Sequence, residues 1–429
     1  MEARKVLVFP AGTEIGLEIF HSLRFCKEVR LYGAGQDIPN HARFVFPEYH
    51  ILPSIHEDLW LDDLVSLCLK LRIDYIFPAH DDVIVALSRA RHIIPVVIIT
   101  SPPGACEITR SKSDTYRALS GKINVPQLYD SVESISDYPV LVKPDRGQGS
   151  FGIVRADDKS LLISALQTVP NPIICEYLPG EEYTVDCFSD RERGVLFAEA
   201  RSRRRTRNGI SMNTLSLILA EAREMAEVIN GEFGLHGAWF FQLKRDRNGQ
   251  LTLLEVAPRI AGTMAAHRVM GVNFPLLSIF EEERLPICIK CNAGAVELDR
   301  ALANRYRHSI TYSVLYIDLD DTIVVNGCLN TQAVTLIFQS IEKGIPVILL
   351  TKHGGNLHTI LAKYRLLGLF DEIIQLNKEE KKSSYIRHRD AILVDDSFSE
   401  RMDVVECCDI PTFDCSMIEL LTEQAELLD

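Results

Sequence analysis

The nonapeptide VLYIDLDDT at residues 314–322 is the segment that most constrains the fold of this chain. Its first four residues are apolar enough for a buried strand, and two carboxylates, Asp318 and Asp320, follow at the end of that strand. Because strand side chains alternate between faces, carboxylates two positions apart lie on one face of an extended backbone. Ligands bind at the carboxyl ends of strands in parallel α/β sheets. The segment therefore predicts an α/β fold with an acidic site at that edge.

Further polar residues follow strand-like segments in the same region. Residues 346–351 end in Thr351, and residues 391–394 are followed by Asp395 and Asp396. Lys381 and Lys382 begin a helical stretch between these two segments. Each feature alone has a plain alternative, since paired aspartates often mark a turn and a threonine can cap a helix. Their occurrence together at three strand ends favours one site in a small α/β module.

These residues resemble the motifs of the haloacid dehalogenase (HAD) superfamily, most of whose members transfer phosphoryl groups through an aspartyl-phosphate. The resemblance implies that Asp318 is the nucleophile, that Asp320 is the general acid/base, and that the phosphoryl group and the metal are held by Thr351, Lys382, Asp318, Asp320, Asp395 and Asp396. The metal would be Mg²⁺, with Mn²⁺ as an alternative. Lys381 remains an alternative to Lys382, because the sequence does not fix the helix phase. Residues 323–350 and 352–380 are too short for a cap domain, so an uncapped Rossmann-like module is expected.

The N-terminal hundred residues have the pattern of a doubly wound α/β domain. An apolar run at 5–9 precedes glycines at 12 and 16 and a helical stretch, and further strands near 28–32, 74–77 and 95–99 alternate with helices. Only two glycines are present in the first turn, so a dinucleotide fingerprint is weak.

A lysine and a glycine-rich loop mark a phosphate site in the next segment. Lys143 closes the apolar strand at 140–142, and three glycines follow within residues 147–152. Glycines let backbone amides approach phosphates closely, and the lysine adds a positive charge. The order of a Walker P-loop is absent. A flexible hairpin is the alternative interpretation, but it leaves the lysine unexplained.

Two later strands predict a metal site. Asn248-Gly249 indicates a two-residue hairpin turn between strands at 237–244 and 250–257. In that register Gln242 faces Glu255, with their Cβ atoms about 5 Å apart. An amide oxygen and a carboxylate would then converge, as a Mg²⁺ ion requires. A polar pair on a solvated face is the alternative, and the apolar neighbours Phe240 and Leu253 argue against it.

Residues 1 to about 290 resemble the ATP-grasp ligases, in particular the carbamoyl-phosphate-synthetase-like branch. The motifs that carry the resemblance lie, in order, at 108–112, 142–152, 175–186 and 254–259. The resemblance implies ATP and Mg²⁺ as cofactors, and it assigns the phosphates to Lys112, Lys143, Gly149 and Ser150, adenine to Glu176 and Leu178, ribose to Glu182, the metal to Gln242 and Glu255, and the transferring phosphate to Arg259. It also implies that a carboxylate attacks the γ-phosphate of ATP and that an amine or similar nucleophile captures the acyl-phosphate. Ala257 stands where the family usually carries asparagine, which removes one expected metal ligand.

Composition limits the class of protein further. The net charge of −13 argues against general nucleic-acid binding. The arginines at 201–207 are a local exception, and they suit either a solvated loop or a clamp for anions. No apolar run reaches the ~20 residues of a membrane span. The eleven cysteines are predicted to be reduced thiols in the cytoplasm, with a zinc knuckle at Cys288 and Cys291 as a remote alternative.

The predicted organisation follows from these patterns. A Rossmann-like pre-ATP-grasp domain occupies 1–105, an α+β ATP-grasp domain 106–295 with a helix at 214–230, a linker 296–312, and the HAD-like domain 313–429. The predicted function is a carboxylate ligase fused to a Mg²⁺-dependent phosphatase, which acts on a small carboxylate, an amine-type acceptor and a phosphorylated intermediate. Two alternatives are a ligase with a regulatory HAD-like domain and a nucleotide sensor without turnover. A homodimer is the default expectation for its assembly.

Overall fold

The structure is a computed structural model, and it describes residues 3–147, 149, 151–306 and 308–422. The chain divides into two compact units, Met1–Leu302 and Ala303–Asp429. Each unit buries hydrophobic clusters of its own. No helix in the described part of the chain has both the length and the apolar character needed to cross a bilayer.

The N-terminal unit begins with a parallel sheet of order β3-β2-β1-β4-β5. Winding reverses at the central strand β1, so the carboxyl ends of β1 and β4 border a crevice of the kind that binds ligands. The predicted doubly wound sheet is therefore observed. Its elements are β1 Arg4–Phe9, α1 Glu14–Leu23, β2 Val29–Gly35, β3 Tyr49–Ile51, α2 Trp60–Leu71, β4 Tyr75–Pro78, α3 Asp81–Arg89 and β5 Val97–Ile98.

A small antiparallel sheet of order β6-β9-β7-β8 follows. Its central strand β7 ends in Lys143 and Pro144. The elements are α4 Pro103–Arg110, α5 Lys112–Leu119, β6 Leu128–Tyr129, β7 Val140–Pro144, β8 Val154–Ala156, α6 Lys159–Thr168 and β9 Pro172–Glu176.

A larger antiparallel sheet of order β12-β13-β11-β10-β14-β15 completes the unit, and β16 pairs with β13. Helix α7 covers its β11 strand with a stripe of buried apolar residues. The elements are β10 Glu182–Asp190, β11 Gly194–Ser202, β12 Arg205–Arg207, β13 Ile210–Leu217, α7 Ala222–Phe233, β14 Gly237–Arg245, β15 Leu251–Ala257, α8 Ala265–Arg268, α9 Phe274–Glu282 and β16 Glu297–Asp299.

Two predicted segments differ in the structure. The predicted helix at 214–230 is wrong at its start, because Ile210–Leu217 form strand β13 and the helix begins at Ala222. Pairing with β11, β12 and β16 holds these residues extended. Residues Glu297–Asp299, which lie inside the predicted linker, form the strand that pairs with β13.

The β14–β15 hairpin has the predicted pair but not the predicted turn. Gln242 faces Glu255, whereas nearer the turn Leu243 faces Leu253 and Arg245 faces Leu251. The loop is therefore longer than two residues, and a bulge at Leu254 offsets the change in register. The prediction of the turn is wrong, and the prediction of the pair is confirmed.

The C-terminal unit is built on a parallel sheet of order β21-β20-β17-β22-β23. Strand β17 lies between β20 and β22, so the carboxyl ends of these three strands are side by side. The elements are β17 Val314–Ile317, β18 Val324–Val325, β19 Cys328–Leu329, α10 Thr331–Glu342, β20 Val347–Thr351, α11 Leu357–Lys363, β21 Glu372–Gln375, β22 Ala391–Val394, α12 Phe398–Cys408, β23 Thr412–Phe413 and α13 Ile418–Leu421.

Candidate functional site

The N-terminal unit contains a cavity of about 400 Å³ between its two antiparallel sheets. Most of the residues that the sequence assigns to ATP and its metal line this cavity, namely Lys112, Lys143, Gly149, Glu176, Leu178, Glu182, Gln242 and Glu255. Ser150 lies outside the described residues. Arg259 lines an adjoining cavity of about 310 Å³, which shares Gly149, Gln242 and Glu255 with the first.

Lys143 is held in place by a short chain of hydrogen bonds. Its side chain is 3% exposed, and Nζ donates to Tyr116 Oη at 2.9 Å. Tyr116 Oη in turn donates to the carbonyl of Leu254 at 2.5 Å. The bulge at Leu254 thus supports the lysine through the tyrosine, and Nζ retains donors for a ligand because an ammonium has three.

Lys112 stands at the start of α5 on the same cavity. Its Nζ donates to the carbonyl of Gly147 at 3.2 Å, so it contacts the glycine-rich loop. Burial lowers the pKa of Lys112, while the carboxylate of Glu255 opposes that change. Lys112, Lys143 and Glu255 therefore face a common space.

The glycine-rich loop makes a close approach that strongly favours glycine. Gly149 has φ +62°, and a Cβ there would lie 3.0 Å from the carbonyl oxygen of Asn208. Phe151, which is 80% exposed, and Gly209 also line the cavity. The loop and the β12–β13 turn thus meet over the opening of the cavity.

The predicted adenine and ribose residues also line this cavity. The Glu176 carboxylate accepts from the backbone N–H of Gln127 at 3.4 Å, at the end of β9. Glu182 Oε1 lies 2.6 Å from Arg203 Nε and its Oε2 lies 4.0 Å from Lys244 Nζ. The ribose prediction for Glu182 therefore concerns a carboxylate that is already paired with an arginine.

The facing pair Gln242 and Glu255 fits a hard cation. An amide oxygen and a carboxylate oxygen are the donors that Mg²⁺ prefers. Thr184 faces Gln242 on the other side of β14, and its Oγ1 is buried with no hydrogen-bond partner among the described residues. Ala257 contributes no donor.

Arg259 is fixed by a two-point ion pair. Its Nε lies 2.5 Å from Asp81 Oδ1, and Nη2 donates to Asp81 Oδ2 at 3.2 Å. Burial alone would raise the pKa of Asp81, but the Arg259 guanidinium lowers it below its usual range. Asp81 begins α3 just after β4 of the parallel sheet, and Arg259 follows β15 of the larger antiparallel sheet. The ion pair therefore connects these two sheets.

The C-terminal unit brings together the predicted residues at three adjacent strand ends. Asp318 follows β17, Thr351 ends β20, and Asp395 follows β22, and each is at least nine-tenths buried. Lys382 Nζ lies 3.0 Å from Asp318 Oδ1 and 2.5 Å from Asp395 Oδ2. Lys381 points elsewhere, to Asp403 at 2.7 Å, so Lys382 is the lysine of this cluster.

The aspartates of this cluster fit a divalent cation. Asp318, Asp395 and Asp396 each offer an oxygen, and these oxygens lie within 4.8 Å of one another. Lys382 Nζ is shared between the two buried carboxylates of Asp318 and Asp395. Burial raises the pKa of Asp318 to about 6, although Lys382 opposes this. A metal ion would add positive charge to a cluster in which one lysine faces two buried carboxylates.

Asp320 has a partner that the sequence did not indicate. His353 Nδ1 lies 3.0 and 2.9 Å from the two Asp320 oxygens, and Asp320 is not among the aspartates that cluster around Asp318. The position of His353, two residues after Thr351, is the signal that the sequence offers, although the glycines at 354 and 355 also suit a loop role.

A family model matches part of the N-terminal unit. Residues 168–285 match the family described as ATP-grasp in the biosynthetic pathway with Ter operon. A D-alanine--D-alanine ligase of Fusobacterium nucleatum subsp. nucleatum is 29% identical over 145 residues, which is 31% of this chain and 50% of that enzyme. The chain thus spans about half the length of the curated relative it matches.

Solved structures share the fold at low identity. The biotin carboxylase domain of Hydrogenobacter thermophilus 2-oxoglutarate carboxylase, in complex with MgADP and bicarbonate, has a TM-score of 0.59 at 15% identity, with 69% of this chain and 74% of that chain covered. N5-carboxyaminoimidazole synthetase from Staphylococcus aureus, complexed with ADP, has a TM-score of 0.56 at 16% identity over 68% and 81%. L-amino acid ligase from Bacillus licheniformis has a TM-score of 0.53 at 17% identity over 65% and 74%.

Proposed function

Because the chain has an ATP-grasp fold, we propose that its N-terminal unit is an ATP-dependent ligase that joins a small carboxylate to an amine-type acceptor. The observation that carries this proposal is the convergence of Lys112, Lys143, Gln242 and Glu255 on one cavity. ATP and Mg²⁺ are the cofactors, as the relatives with MgADP and ADP suggest.

The residues of the cavity divide the work of binding ATP. Lys143 and Lys112 offset phosphate charge, and the glycine-rich loop with Gly149 admits the phosphates without a steric barrier. Glu176 and the backbone of Leu178 bind adenine, and Glu182 orients the ribose while Arg203 holds its carboxylate. Gln242 and Glu255 hold Mg²⁺, which neutralises phosphate charge.

Arg259 acts where the γ-phosphate meets the carboxylate substrate. A carboxylate oxygen attacks phosphorus, ADP leaves, and the amine then displaces phosphate from the acyl-phosphate. Arg259 is fixed by Asp81 and lines the cavity that adjoins the nucleotide. A guanidinium fixed in this way stabilises developing negative charge without reorganising. Ala257 leaves Gln242 and Glu255 as the ligand pair, so one Mg²⁺ is proposed.

An ADP-release screen tests the ligase. Carboxylic acids paired with amines, with and without Mg²⁺, are expected to give ADP only when acid and Mg²⁺ are both present. Glu255→Gln should reduce that turnover at least about tenfold, because it removes a charged ligand. Glu232→Gln, a change on the exterior of α7, is the control. ATP binding without ADP release from any pair would favour the nucleotide sensor instead.

We also propose that the C-terminal unit is a HAD-type phosphohydrolase. The cluster of Asp318, Lys382 and Asp395 supports this second activity. Asp318 attacks the phosphoryl group, and Thr351 and Lys382 bind its oxygens. Asp320 donates a proton to the leaving group and then activates water. Mg²⁺, or Mn²⁺, held by Asp318, Asp395 and Asp396 neutralises the charge of phosphate near the aspartates.

Hydrolysis of p-nitrophenyl phosphate tests this second site. Asp318→Asn should abolish turnover, since an amide cannot form the phosphoenzyme, while Asp403→Asn should not. If wild type and Asp318→Asn are equally inactive over a broad phosphate panel, the regulatory or structural alternative for this unit is favoured. A phosphorylated intermediate, a cytoplasmic location and a homodimer stay predictions.

A further inference from the structure

We propose that a substrate of the ligase carries a carboxylate in addition to the one that ATP activates, and that Arg201 and Arg300 bind it. The inference rests on the proposed ligase function and adds the substrate class. Two sources share this chemistry, a dicarboxylic acyl donor and an amino acid acceptor.

The cavity that adjoins the nucleotide pocket is where this group would bind. Its volume is about 310 Å³, and Gly149, Gln242 and Glu255 line both it and the nucleotide pocket. The part of its wall that lies outside the nucleotide pocket includes Glu14 at the start of α1, Arg201 on β11 and Arg300 after β16. A substrate in this cavity could therefore contact both sets of residues.

Arg201 is a buried cation with one donor group unused. Its side chain is 1% exposed, and Nε and Nη2 donate to the two oxygens of Asp186 at 2.8 and 3.0 Å. Nη1 is buried and has no hydrogen-bond partner in the described part of the chain. An unmet donor on a charged group costs free energy unless a ligand satisfies it.

Arg300 places a second guanidinium at the same wall. Its Nη2 donates to the carbonyl of Gly262, and no carboxylate lies within 4.0 Å of it among the described residues. Burial lowers the pKa of Arg300, and Arg201 lowers it further, while Glu14 and Glu18 oppose this. An anion bound beside Arg300 would favour its charged form and offset the effect of Arg201.

The other arginines of this cavity are already paired. Arg259 binds Asp81 at two points, and Arg203 lies 2.6 Å from Glu182. Glu14 partly offsets the charge of Arg300 but leaves Nη1 of Arg201 without a partner. Among the arginines of this cavity, Arg201 and Arg300 are thus the two that could still donate to an anionic ligand.

Gly262 makes room for the Arg300 head group. A Cβ at Gly262 would lie 2.6 Å from Arg300 Nη2 and 2.9 Å from Glu14 Cγ. The substitution Gly262→Ala should therefore displace the guanidinium without removing its charge. Gly262→Ala is therefore a second test variant, which changes the position of the Arg300 guanidinium but not its charge.

The test compares each carboxylate with its amide. Glutarate and glutaramate serve as donors, and alanine and alaninamide serve as acceptors, with ADP release as the measurement. In Arg300→Gln and Gly262→Ala the KM of one acid is expected to rise about tenfold or more, which is the loss of a charged hydrogen bond, while its amide is unaffected. The acid whose KM rises shows whether the second carboxylate belongs to the acyl donor or to the amino acid acceptor. Arg205→Gln, an exposed arginine paired with Asp299, is the matched control.

Equal effects on acid and amide would overturn the inference while leaving the ligase in place. If no pair releases ADP, the ligase proposal fails, and calorimetric titration of wild type and Arg300→Gln with glutarate and with alanine decides the inference separately. Binding that depends on Arg300 supports the anion subsite. No binding, or equal binding by both proteins, contradicts it.

Discussion

At the scale of single residues, Lys143 lines the proposed nucleotide cavity and is held in place by hydrogen bonds that lead to β15. The residue is buried, it donates to Tyr116, and Tyr116 donates to the bulged Leu254. Replacing Lys143 therefore removes the proposed phosphate contact and also leaves the Tyr116 hydroxyl without its lysine. Lys112, which contacts the glycine-rich loop, remains in place in such a variant.

The substitution Lys143→Met is expected to raise the KM for ATP by about tenfold to a hundredfold, since charge-assisted hydrogen bonds contribute about 1.5–3 kcal/mol. Initial rates of ADP release at varied ATP check this. Lys122→Met is the matched control, because Lys122 pairs with Glu232 on the exterior. A KM unchanged in a folded Lys143→Met protein would exclude the phosphate role.

The sequence predicts the location of a residue where a local motif carries it and fails where distant segments meet. Lys112, Lys143 and Glu255 line one cavity, as the local signals of strand ends and loops predict. Arg300 was placed in a linker, and only the pairing of β16 with β13 brings it to a cavity wall. His353 contacts Asp320 across 33 residues of chain, and its position just after Thr351 is only a weak signal of that contact.

At the scale of elements, the β14–β15 hairpin shows how two irregularities can offset each other. The longer loop shifts the register by one residue, and the bulge at Leu254 shifts it back, so Gln242 still faces Glu255. A sequence pattern predicts the alternation of the strands but not a bulge, and here the bulged Leu254 carbonyl accepts from Tyr116 of α5, a distant segment. The prediction of a helix at residues 214–217 is wrong for a related reason. Pairing on both edges of β13 holds these residues extended, although their apolar spacing suits a helix.

Helix α7 offers a paired test of backbone conformation. Gly234 ends the helix with φ +63°, whereas Gly231 lies inside it, and neither has a neighbour within 4 Å of an added Cβ. Gly234→Ala should lower the free energy of unfolding by about 1 kcal/mol, because alanine is strained at positive φ. Gly231→Ala should raise it by about 0.5–1 kcal/mol.

Urea denaturation followed by circular dichroism measures both changes. Since the two sites are three residues apart on one helix, each variant is the control for the other. Effects of the same sign would contradict this account of the helix end.

At the scale of the whole molecule, each unit has its own interior. The N-terminal unit buries clusters around β1, β10 and β7, and the C-terminal unit buries clusters on both faces of the β17 sheet. A unit with a complete core is expected to fold independently. The boundary at Leu302 falls just after the pairing of β16, which keeps Arg300 in the first unit.

Truncation after Leu302 is therefore expected to yield a folded protein that retains the ADP release of the full chain within about twofold, given independent cores. Comparison of the two proteins under one set of assay conditions checks this. A cooperative unfolding transition in the truncated protein is the control for its integrity. Loss of ADP release from a folded truncated protein would support the regulatory alternative for the C-terminal unit.

Some residues of the N-terminal unit line both cavities and others line only one of them, and this limits how its substrate specificity can change. Gln242, Glu255 and Gly149 line both cavities, so under the proposed function a change there would alter nucleotide use and acid use together. Arg201, Arg300 and Glu14 face only the second space. New acid preferences can therefore arise by exchange at these three positions while the energy-supplying half of the reaction is conserved.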